Sequence, residues 1–176
     1  MLRTVADAEP IDLITRQQYQ HFELTLEWRV ARGGKSGILS RVTEALPHAW
    51  LSGLDMQLLD DAHHPDHQLP ETAAGALYGL IAPRRTVLRP IDSFNTARLV
   101  VRASHVEQWR NGVLVVADTL QSPALAALVA QSKFPALPGF GAAARGHIAL
   151  QHHGDPVWFR PLYLRPLPDE QAGGLP

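Results

Sequence analysis

The chain has 176 residues, of which 45% are hydrophobic and 19% are charged. This balance is typical of a folded globular protein and excludes a disordered one, and the length suits one domain with its own hydrophobic core. The formal net charge of −1 provides no basic surface for nucleic acid or for an anionic membrane, so neither partner is expected. There is no cysteine, which excludes disulfide bonds and thiolate metal sites.

Two other features of the composition are informative. The basic residues are almost all arginine, and Lys35 and Lys133 are the two lysines of the chain. Residues 1–18 contain no apolar run long enough for a signal peptide or a membrane span, so the sequence leaves the cellular location unknown.

Short runs in which apolar and polar residues alternate dominate the sequence, and this period of two is typical of half-buried β-strands. In Phe22–Arg29 every second residue, starting at Phe22, is apolar. The same reasoning predicts further strands over Gly37–Val42, Leu54–Leu59, Ala97–Ala103, His105–Arg110, Val113–Asp118, Gly146–His152 and Val157–Leu164. A two-residue hairpin turn is predicted at 111–112, and a turn at 153–156 is predicted to join the last two strands as a pair.

One helix is predicted near residues 122–133, because Ser122 can cap it and Pro123 suits its first position. Many short strands with Gly, Pro and Asn turns and one crossover helix predict an all-β fold, namely a two-sheet antiparallel β-sandwich. Residues 19–167 are assigned to this single domain, and residues 168–176 are predicted to form a flexible tail.

The segment Asp55–His67 concentrates side chains that bind metals or move protons. Asp55 and Gln57 are two residues apart on a predicted strand, so they share one face of a sheet. The following loop carries His64. A solvated acidic loop is the alternative interpretation. The spacing matches neither an EF-hand loop nor the HExxH motif, so it does not by itself identify a metal site.

Further polar side chains alternate on other predicted strands. They are Arg41, then His105, Glu107 and Trp109, and then His147, Gln151 and His153. Together with Asp55 and Gln57 they suggest one polar sheet face that lines a groove. An exposed indole is a usual platform for a sugar ring, although ordinary packing explains Trp109 equally well. His64 and His153 are the stronger histidine candidates, because each lies in a loop at the end of a strand.

Several sequence blocks occur in an order that resembles one known family. They are FELTLEWRV, GGKSGILSRV, DMQLLDDAHHPD, GALYGLI, FNTARLVVRASHVEQWRNG, SKFPALPGFG and ARGHIALQHHGDPVWFRPLYLRPL. Over roughly residues 19–167 the chain is similar to the 3-keto-disaccharide hydrolase domain family. The resemblance implies a concanavalin A-like jelly-roll sandwich and a carbohydrate substrate. It also implies that residues 1–18 are the remnant of a longer N-terminal region, and that relatives are often periplasmic or secreted.

The chemistry implied by the resemblance is cleavage of glycosides already oxidised at C3. A ketone at C3 acidifies the C2 hydrogen, so a general base can remove it, the C1 group leaves, and water adds back. The resemblance implies His153 or His64 as the base, with Asp55 and Gln57 as further catalytic residues. A divalent ion (Ca, Mn or Mg) held by Asp55, Gln57 and His64 is implied as a means to stabilise the enolate. The implied substrate-binding residues are Arg41, Trp109, Glu107, His105 and Gln151.

The chain departs from the usual family pattern at four positions, where it has Lys35, Asp55, His63 and His152 in place of Asn, Glu, Gly and Asp. Two other functions therefore stay open. One is a non-catalytic carbohydrate-binding jelly-roll module. The other is a conventional glycosidase in which Asp55 is paired with Glu107 or Glu27. A sheet edge left exposed by a missing strand would also permit a homo-oligomer.

Overall fold

The computed structural model describes residues 1–6, 9, 11–137 and 139–168 of the chain. Within these ranges the chain forms ten β-strands, one α-helix and three short 3-10 helices. The strands are β1 (Leu2–Arg3), β2 (Leu13–Ile14), β3 (Phe22–Val30), β4 (Lys35–Val42), β5 (Leu54–Leu59), β6 (Asn95–Arg102), β7 (His105–Arg110), β8 (Val113–Thr119), β9 (His147–Leu150) and β10 (Val157–Pro166). The α-helix is α1 (Pro123–Gln131), and the 3-10 helices are Ala49–Leu51, Pro65–Gln68 and Pro70–Thr72.

The strands form two antiparallel sheets. The six-stranded sheet has the order β1-β10-β3-β6-β7-β8, and the four-stranded sheet has the order β2-β9-β4-β5. The sheets face each other across one apolar cluster, to which β3 contributes Leu26 and Trp28 while β4 and β5 contribute Ile38 and Met56. The predicted all-β, two-sheet antiparallel sandwich is confirmed.

The outer faces of the two sheets differ in how well they are covered. β3 alternates between buried and half-buried residues, because its outer face meets solvent. β4 and β5 are buried at every position. Residues 60–81, which we call the cover segment, fold back beside β5 and over its outer face, where Tyr78 N donates to Asp55 O at 2.9 Å and Gly75 N donates to Gln57 O at 2.7 Å. Polar side chains on this outer face are therefore buried.

The predicted pairing of the last two strands is wrong. β9 joins the four-stranded sheet beside β4, whereas β10 joins the six-stranded sheet beside β3. Residues 151–156 therefore cross from one sheet to the other and do not close a hairpin. Alternation identifies a strand but not its partner, because both sheets of a sandwich have the same spacing and the same inward and outward pattern.

The described part of residues 1–18 belongs to the sandwich. β1 pairs with β10 at one edge of the six-stranded sheet, and β2 pairs with β9 at one edge of the four-stranded sheet. His152 N also donates to Asp12 Oδ1 at 3.0 Å. Of the predicted tail 168–176, all residues but Pro168 lie outside the described residues.

The helix begins where the sequence predicts it. Ser122 Oγ accepts a hydrogen bond from Leu125 N at 3.0 Å, and Pro123 occupies the first helical position. The helix ends at Gln131, two residues before the predicted end. Among the described residues, no helix combines the length and the apolar character that crossing a membrane requires.

Candidate active site

A cavity of about 170 Å³ opens on the covered face of the four-stranded sheet. Its lining combines cationic, acid–base and aromatic side chains, contributed by several separate segments of the chain. The lining residues are Lys35, Trp50, Gly53, Asp55, Tyr78, Lys133, Phe134, Phe140, Gln151 and His153. Such a mixture of apolar walls with a few converging polar groups is typical of a ligand site.

The floor of this cavity depends on Gly37 in the middle of β4. Gly37 lies opposite Gln57 of β5, and its carbonyl oxygen accepts a hydrogen bond from Gln151 N at 2.9 Å. A methyl group at position 37 would lie 2.2 Å from Asp55 Oδ1, which is closer than non-bonded atoms approach. The missing side chain at Gly37 therefore creates the space that the Asp55 carboxyl group fills.

The Asp55 carboxyl group is buried, and its Oδ1 atom has no hydrogen-bond partner among the described residues. Burial raises the pKa of Asp55 to about 7, against the opposing charge of Lys35. Both the acid and the carboxylate are therefore populated near neutral pH. A group of this kind can donate or accept a proton during a reaction.

His153 follows β9 and lies at the cavity with part of its ring exposed. Partial burial lowers the pKa of His153, and the positive charge of Lys35 lowers it further, while the carboxylate of Asp155 has the opposite effect. His64 and Asp66 make smaller contributions of opposite sign. The neutral imidazole is consequently the main form at pH 7, as a general base requires.

Tyr78 lies between the two lysines of the chain. Its Oη atom accepts hydrogen bonds from Lys133 Nζ at 2.9 Å and from Lys35 Nζ at 3.3 Å. Both ammonium groups also lie over the Tyr78 ring, 4.3 and 4.5 Å from its centroid. Lys35 Nζ further donates to Asp66 Oδ2 at 2.6 Å. Burial lowers the pKa of Lys35, but the contacts with Asp66 and Tyr78 together raise it above its usual value.

Aromatic side chains form the apolar wall of the cavity. Phe134 and Phe140 stack with their ring centroids 4.2 Å apart, and Tyr78 meets Phe134 edge to face. Trp50 leaves 43% of its surface exposed and stacks on His48. Flat apolar surfaces beside polar groups suit a sugar ring, which has apolar C–H faces and a polar rim.

The structure brings together three of the predicted site residues, namely Asp55, Gln151 and His153. Gln57 shares a face with Asp55, as the alternation predicts, but the cover segment closes over it and Gln57 Nε2 donates to Thr72 O at 3.1 Å. His64 lies in the cover segment outside the cavity lining, where its Nδ1 atom accepts a hydrogen bond from Asp66 N.

Arg41 does not face the cavity. Its guanidinium donates to Ala103 O at 2.6 Å and to Gly141 O at 3.5 Å, which ties β4 to the β6–β7 turn and to the loop that precedes β9. The backbone at Arg41 has φ 61° and lies in an irregularity of β4 between Leu39 and Val42. A bulge of this kind interrupts the alternation from which the orientation of Arg41 was predicted.

His105, Glu107 and Trp109 lie on the outer face of the other sheet. They belong to β7, where Trp109 Nε1 donates to Glu107 Oε2 at 2.8 Å and Arg98 packs on the indole ring. The prediction that they share a groove with Asp55 is wrong, because the whole core separates the two outer faces. Pairing of Asp55 with Glu107 or with Glu27 of β3 across one cleft is excluded for the same reason.

The residues present do not fit the implied divalent ion. The unpartnered oxygens Asp55 Oδ1 and Gln57 Oε1 are the observation in its favour. However, Gln57 is buried outside the cavity lining, and the Nδ1 atom of His64 already accepts a hydrogen bond. The cavity lining also contains the cationic side chains of Lys35 and Lys133, which repel a metal ion. Among the described residues no group of three His, Cys, Asp or Glu side chains is placed to hold a metal ion.

Sequence reasoning missed Tyr78, Lys133, Trp50 and the two stacked phenylalanines. Trp50 lies in the short 3-10 helix Ala49–Leu51 and the others lie in loops, so no periodic pattern assigns any of them to a face. One signal was available in the composition, namely the two lysines of an otherwise arginine-rich chain. In the structure both of them contact Tyr78.

Comparison with known proteins identifies the family. A family profile described as "3-keto-alpha-glucoside-1,2-lyase-like domain" matches residues 3–165. The chain belongs to this family. The resemblance noted from its sequence blocks is thereby confirmed, and the matched region begins within the N-terminal segment that contains β1 and β2.

A curated relative from Bacteroides thetaiotaomicron, named 3-keto-disaccharide hydrolase, is 29% identical over 184 residues. The alignment covers 92% of this chain and 63% of the relative, so the family member described here spans less than two thirds of that protein.

Solved structures share the fold. A provisionally assigned glycosyl hydrolase from Parabacteroides distasonis superposes with a TM-score of 0.84 at 23% identity, covering 89% of this chain and 76% of that chain. The carbohydrate-binding module CBM66 from Bacillus subtilis superposes with a TM-score of 0.57 at 9% identity, covering 92% of this chain and 84% of that chain. The expected concanavalin A-like jelly-roll sandwich is confirmed.

Proposed function

We propose that this protein cleaves 3-keto-glycosides by elimination followed by hydration. The observation that carries the proposal is one cavity that combines the neutral imidazole of His153 with the buried carboxyl group of Asp55, whose pKa is raised to about 7. A base and an acid that are both competent near neutral pH are what an elimination next to a ketone needs. Family membership and the name of the curated relative support the same chemistry.

His153 is the proposed general base. It takes the C2 proton, and the electron pair of the C2–H bond moves onto the C3 carbonyl oxygen as an enolate. When the carbonyl re-forms, the C1–O bond breaks and the glycosidic oxygen leaves with the electron pair. Asp55, in its protonated form, donates a proton to that oxygen, so a neutral alcohol departs. Water then adds across the C1=C2 bond: its oxygen bonds to C1, the ionised Asp55 takes up a proton from the water, and the protonated His153 returns a proton to C2. The net reaction is a hydrolysis, and both residues regain their starting forms.

The other lining residues bind the sugar in this proposal. Trp50, Phe134 and Phe140 contact the apolar ring faces, and Gln151, whose Oε1 atom is buried without a partner, accepts a hydrogen bond from a ring hydroxyl. The cavity of about 170 Å³ is smaller than the roughly 300–1,000 Å³ of typical ligand sites. We therefore expect it to enclose one sugar ring while the leaving group extends into solvent.

The test is incubation of the protein with 3-keto-trehalose, 3-keto-sucrose and the unoxidised parent sugars in D2O. We expect turnover of the keto-sugars only, with deuterium at C2 of the recovered substrate or product. Binding of sugars without turnover would instead indicate a carbohydrate-binding module. Turnover of the parent sugars would indicate a conventional glycosidase and would contradict the proposal.

A further inference from the structure

The hydroxyl group of Tyr78 has its two acceptor positions occupied. A phenol oxygen can accept two hydrogen bonds and donate one, whereas a lysine ammonium group can only donate. Lys133 and Lys35 fill the acceptor positions at 2.9 and 3.3 Å. No described residue accepts a hydrogen bond from Tyr78 Oη. The hydroxyl hydrogen is therefore left for an acceptor that enters the cavity, which Tyr78 lines together with Asp55 and His153.

Each ammonium group also has a contact other than the Tyr78 hydroxyl. Lys35 is held by Asp66 Oδ2 at 2.6 Å and is only 7% exposed, so its charge cannot turn away into water. Lys133 lies against the rings of Tyr78 and Phe134. Both ammonium groups therefore lie next to the phenol oxygen. Two donors behind a hydroxyl oxygen polarise its O–H bond and make it a stronger donor.

We propose that Tyr78, backed by Lys35 and Lys133, is a catalytic residue that donates its hydroxyl hydrogen to the C3 oxygen of a 3-keto sugar and stabilises the enolate. This inference rests on the proposed function and adds the electrophile that the reaction requires. No proton has to be transferred to the oxygen: the C2 proton goes to His153, the negative charge forms on the C3 oxygen, and it is dispersed when the C1–O bond breaks. Preorganised donors of this kind typically contribute about 10²–10³ in rate.

Tyr78 stabilises the enolate oxygen in place of a divalent ion, because either a hydrogen-bond donor or a cation can stabilise such an oxygen. Two ammonium groups at the same point repel a divalent cation. The inference therefore predicts that turnover persists after the protein has been treated with EDTA.

The central test is Tyr78→Phe, which keeps the ring and its contacts with both lysines but removes the hydroxyl group. We expect kcat for a 3-keto-disaccharide to fall by roughly 100-fold or more with KM changed by less than about threefold, and C2–H exchange into D2O to slow in parallel. Tyr163→Phe is the matched control, because Tyr163 is 67% exposed on β10 of the other sheet. That control should keep the wild-type kcat.

The outcomes separate the inference from the proposed function. If wild-type protein turns over the keto-sugar and Tyr78→Phe stays within about twofold of it, the inference is overturned and the function stands. If wild-type protein turns over no keto-sugar, the proposed function itself fails. Loss of wild-type turnover in EDTA, restored by a divalent ion, also overturns the inference.

A second variant keeps the test decisive if Tyr78→Phe does not fold. Lys133 is exposed, so Lys133→Met is expected to fold normally while it removes one of the two donors behind the phenol. We expect its kcat to fall about tenfold, as for the loss of one charged donor. An unchanged kcat in this variant contradicts the proposal that Lys133 strengthens the Tyr78 hydroxyl group as a hydrogen-bond donor.

Discussion

At residue 37 the absence of a side chain decides where the Asp55 carboxyl group lies. The carboxyl group rests in the space above Gly37, with one oxygen unpartnered, and burial raises its pKa to about 7. The Gly37 backbone itself is not in the left-handed region, so an alanine there is opposed only by contact with Asp55. A single methyl group is thus enough to disturb the proposed acid.

We expect Gly37→Ala to lower kcat for a 3-keto-disaccharide by tenfold or more, because the methyl group displaces Asp55 and small displacements of a catalytic group are costly. The measurement is steady-state kinetics, with circular dichroism to verify folding. In the Asp55→Ala background the same change should have almost no further effect, since the two residues act through one contact. Independent, additive losses would show that Gly37 acts in another way.

The two proton-transfer residues also predict the pH dependence of the reaction. The rate rises as His153 loses its proton, with a midpoint below its ordinary value of 6.5, and falls as Asp55 loses its proton near pH 7. A narrow bell in kcat/KM with its maximum between these midpoints is expected. Asp55→Asn should be slower and lack the falling limb. If the wild-type rate instead rises through pH 7 to a plateau, Asp55 is the base and the assignment must be reversed.

At the scale of elements, the important feature is that the two sheets present different outer faces. The outer face of the six-stranded sheet carries ion pairs in solvent, such as Arg160 with Glu27 at 3.2 Å. The cover segment closes the outer face of the four-stranded sheet and is held there by Lys35 with Asp66 and by Gln57 with Thr72. Exposed ion pairs contribute little to stability, whereas the covered face buries the groups that can carry chemistry.

A matched pair of tryptophan variants tests which of these faces binds substrate. Trp50 lines the cavity, while Trp109 lies on the outer face of the six-stranded sheet. We expect Trp50→Ala to raise KM for a 3-keto-disaccharide about 5–10-fold, equivalent to roughly 1–1.4 kcal/mol of binding, and Trp109→Ala to leave kcat/KM within about twofold. If steady-state kinetics show instead that Trp109→Ala raises KM and Trp50→Ala does not, the substrate binds on the six-stranded sheet.

At the scale of the whole molecule, burial of the Asp55 carboxyl group raises its pKa and lowers the free energy of unfolding at neutral pH. Its folded pKa of about 7 lies above the ordinary 3.8, so the folded state binds a proton that the unfolded state has lost between these values. The free energy of unfolding therefore falls as the pH rises from about 4 to 7 and stays lower above pH 7. The difference between the two pKa values corresponds to a loss of on the order of 4 kcal/mol, at most, in the free energy of unfolding.

Asp55→Asn is accordingly expected to be more stable than the wild type at pH 8, by up to a few kcal/mol, and to gain little at pH 4. Urea unfolding at the two pH values measures the difference. Asp92→Asn, which changes an exposed carboxylate in the loop before β6, is the control and should show no such dependence on pH. Equal stabilisation by Asp55→Asn at both pH values would contradict the raised pKa of Asp55.

Much of the local structure could be predicted from the sequence, because it depends on neighbours along the chain. Period-two alternation identified the strands from Phe22 onward, and Ser122 with Pro123 identified the start of the helix. The same alternation put Asp55 and Gln57 on one face of β5. The sequence blocks identified the family, which the profile match confirmed.

Only the tertiary structure decided which strands share a sheet and which side chains meet. Alternation is the same in both sheets, so it could not separate Trp109 from Asp55 or β9 from β10. Gln57 and Asp55 differ in their access to the cavity, because the cover segment closes over Gln57 and leaves Asp55 in the cavity lining. Tyr78 meets Lys35 across 43 residues of sequence and Lys133 across 55. Such contacts depend on how loops return over a sheet, and no local preference of the chain encodes that path.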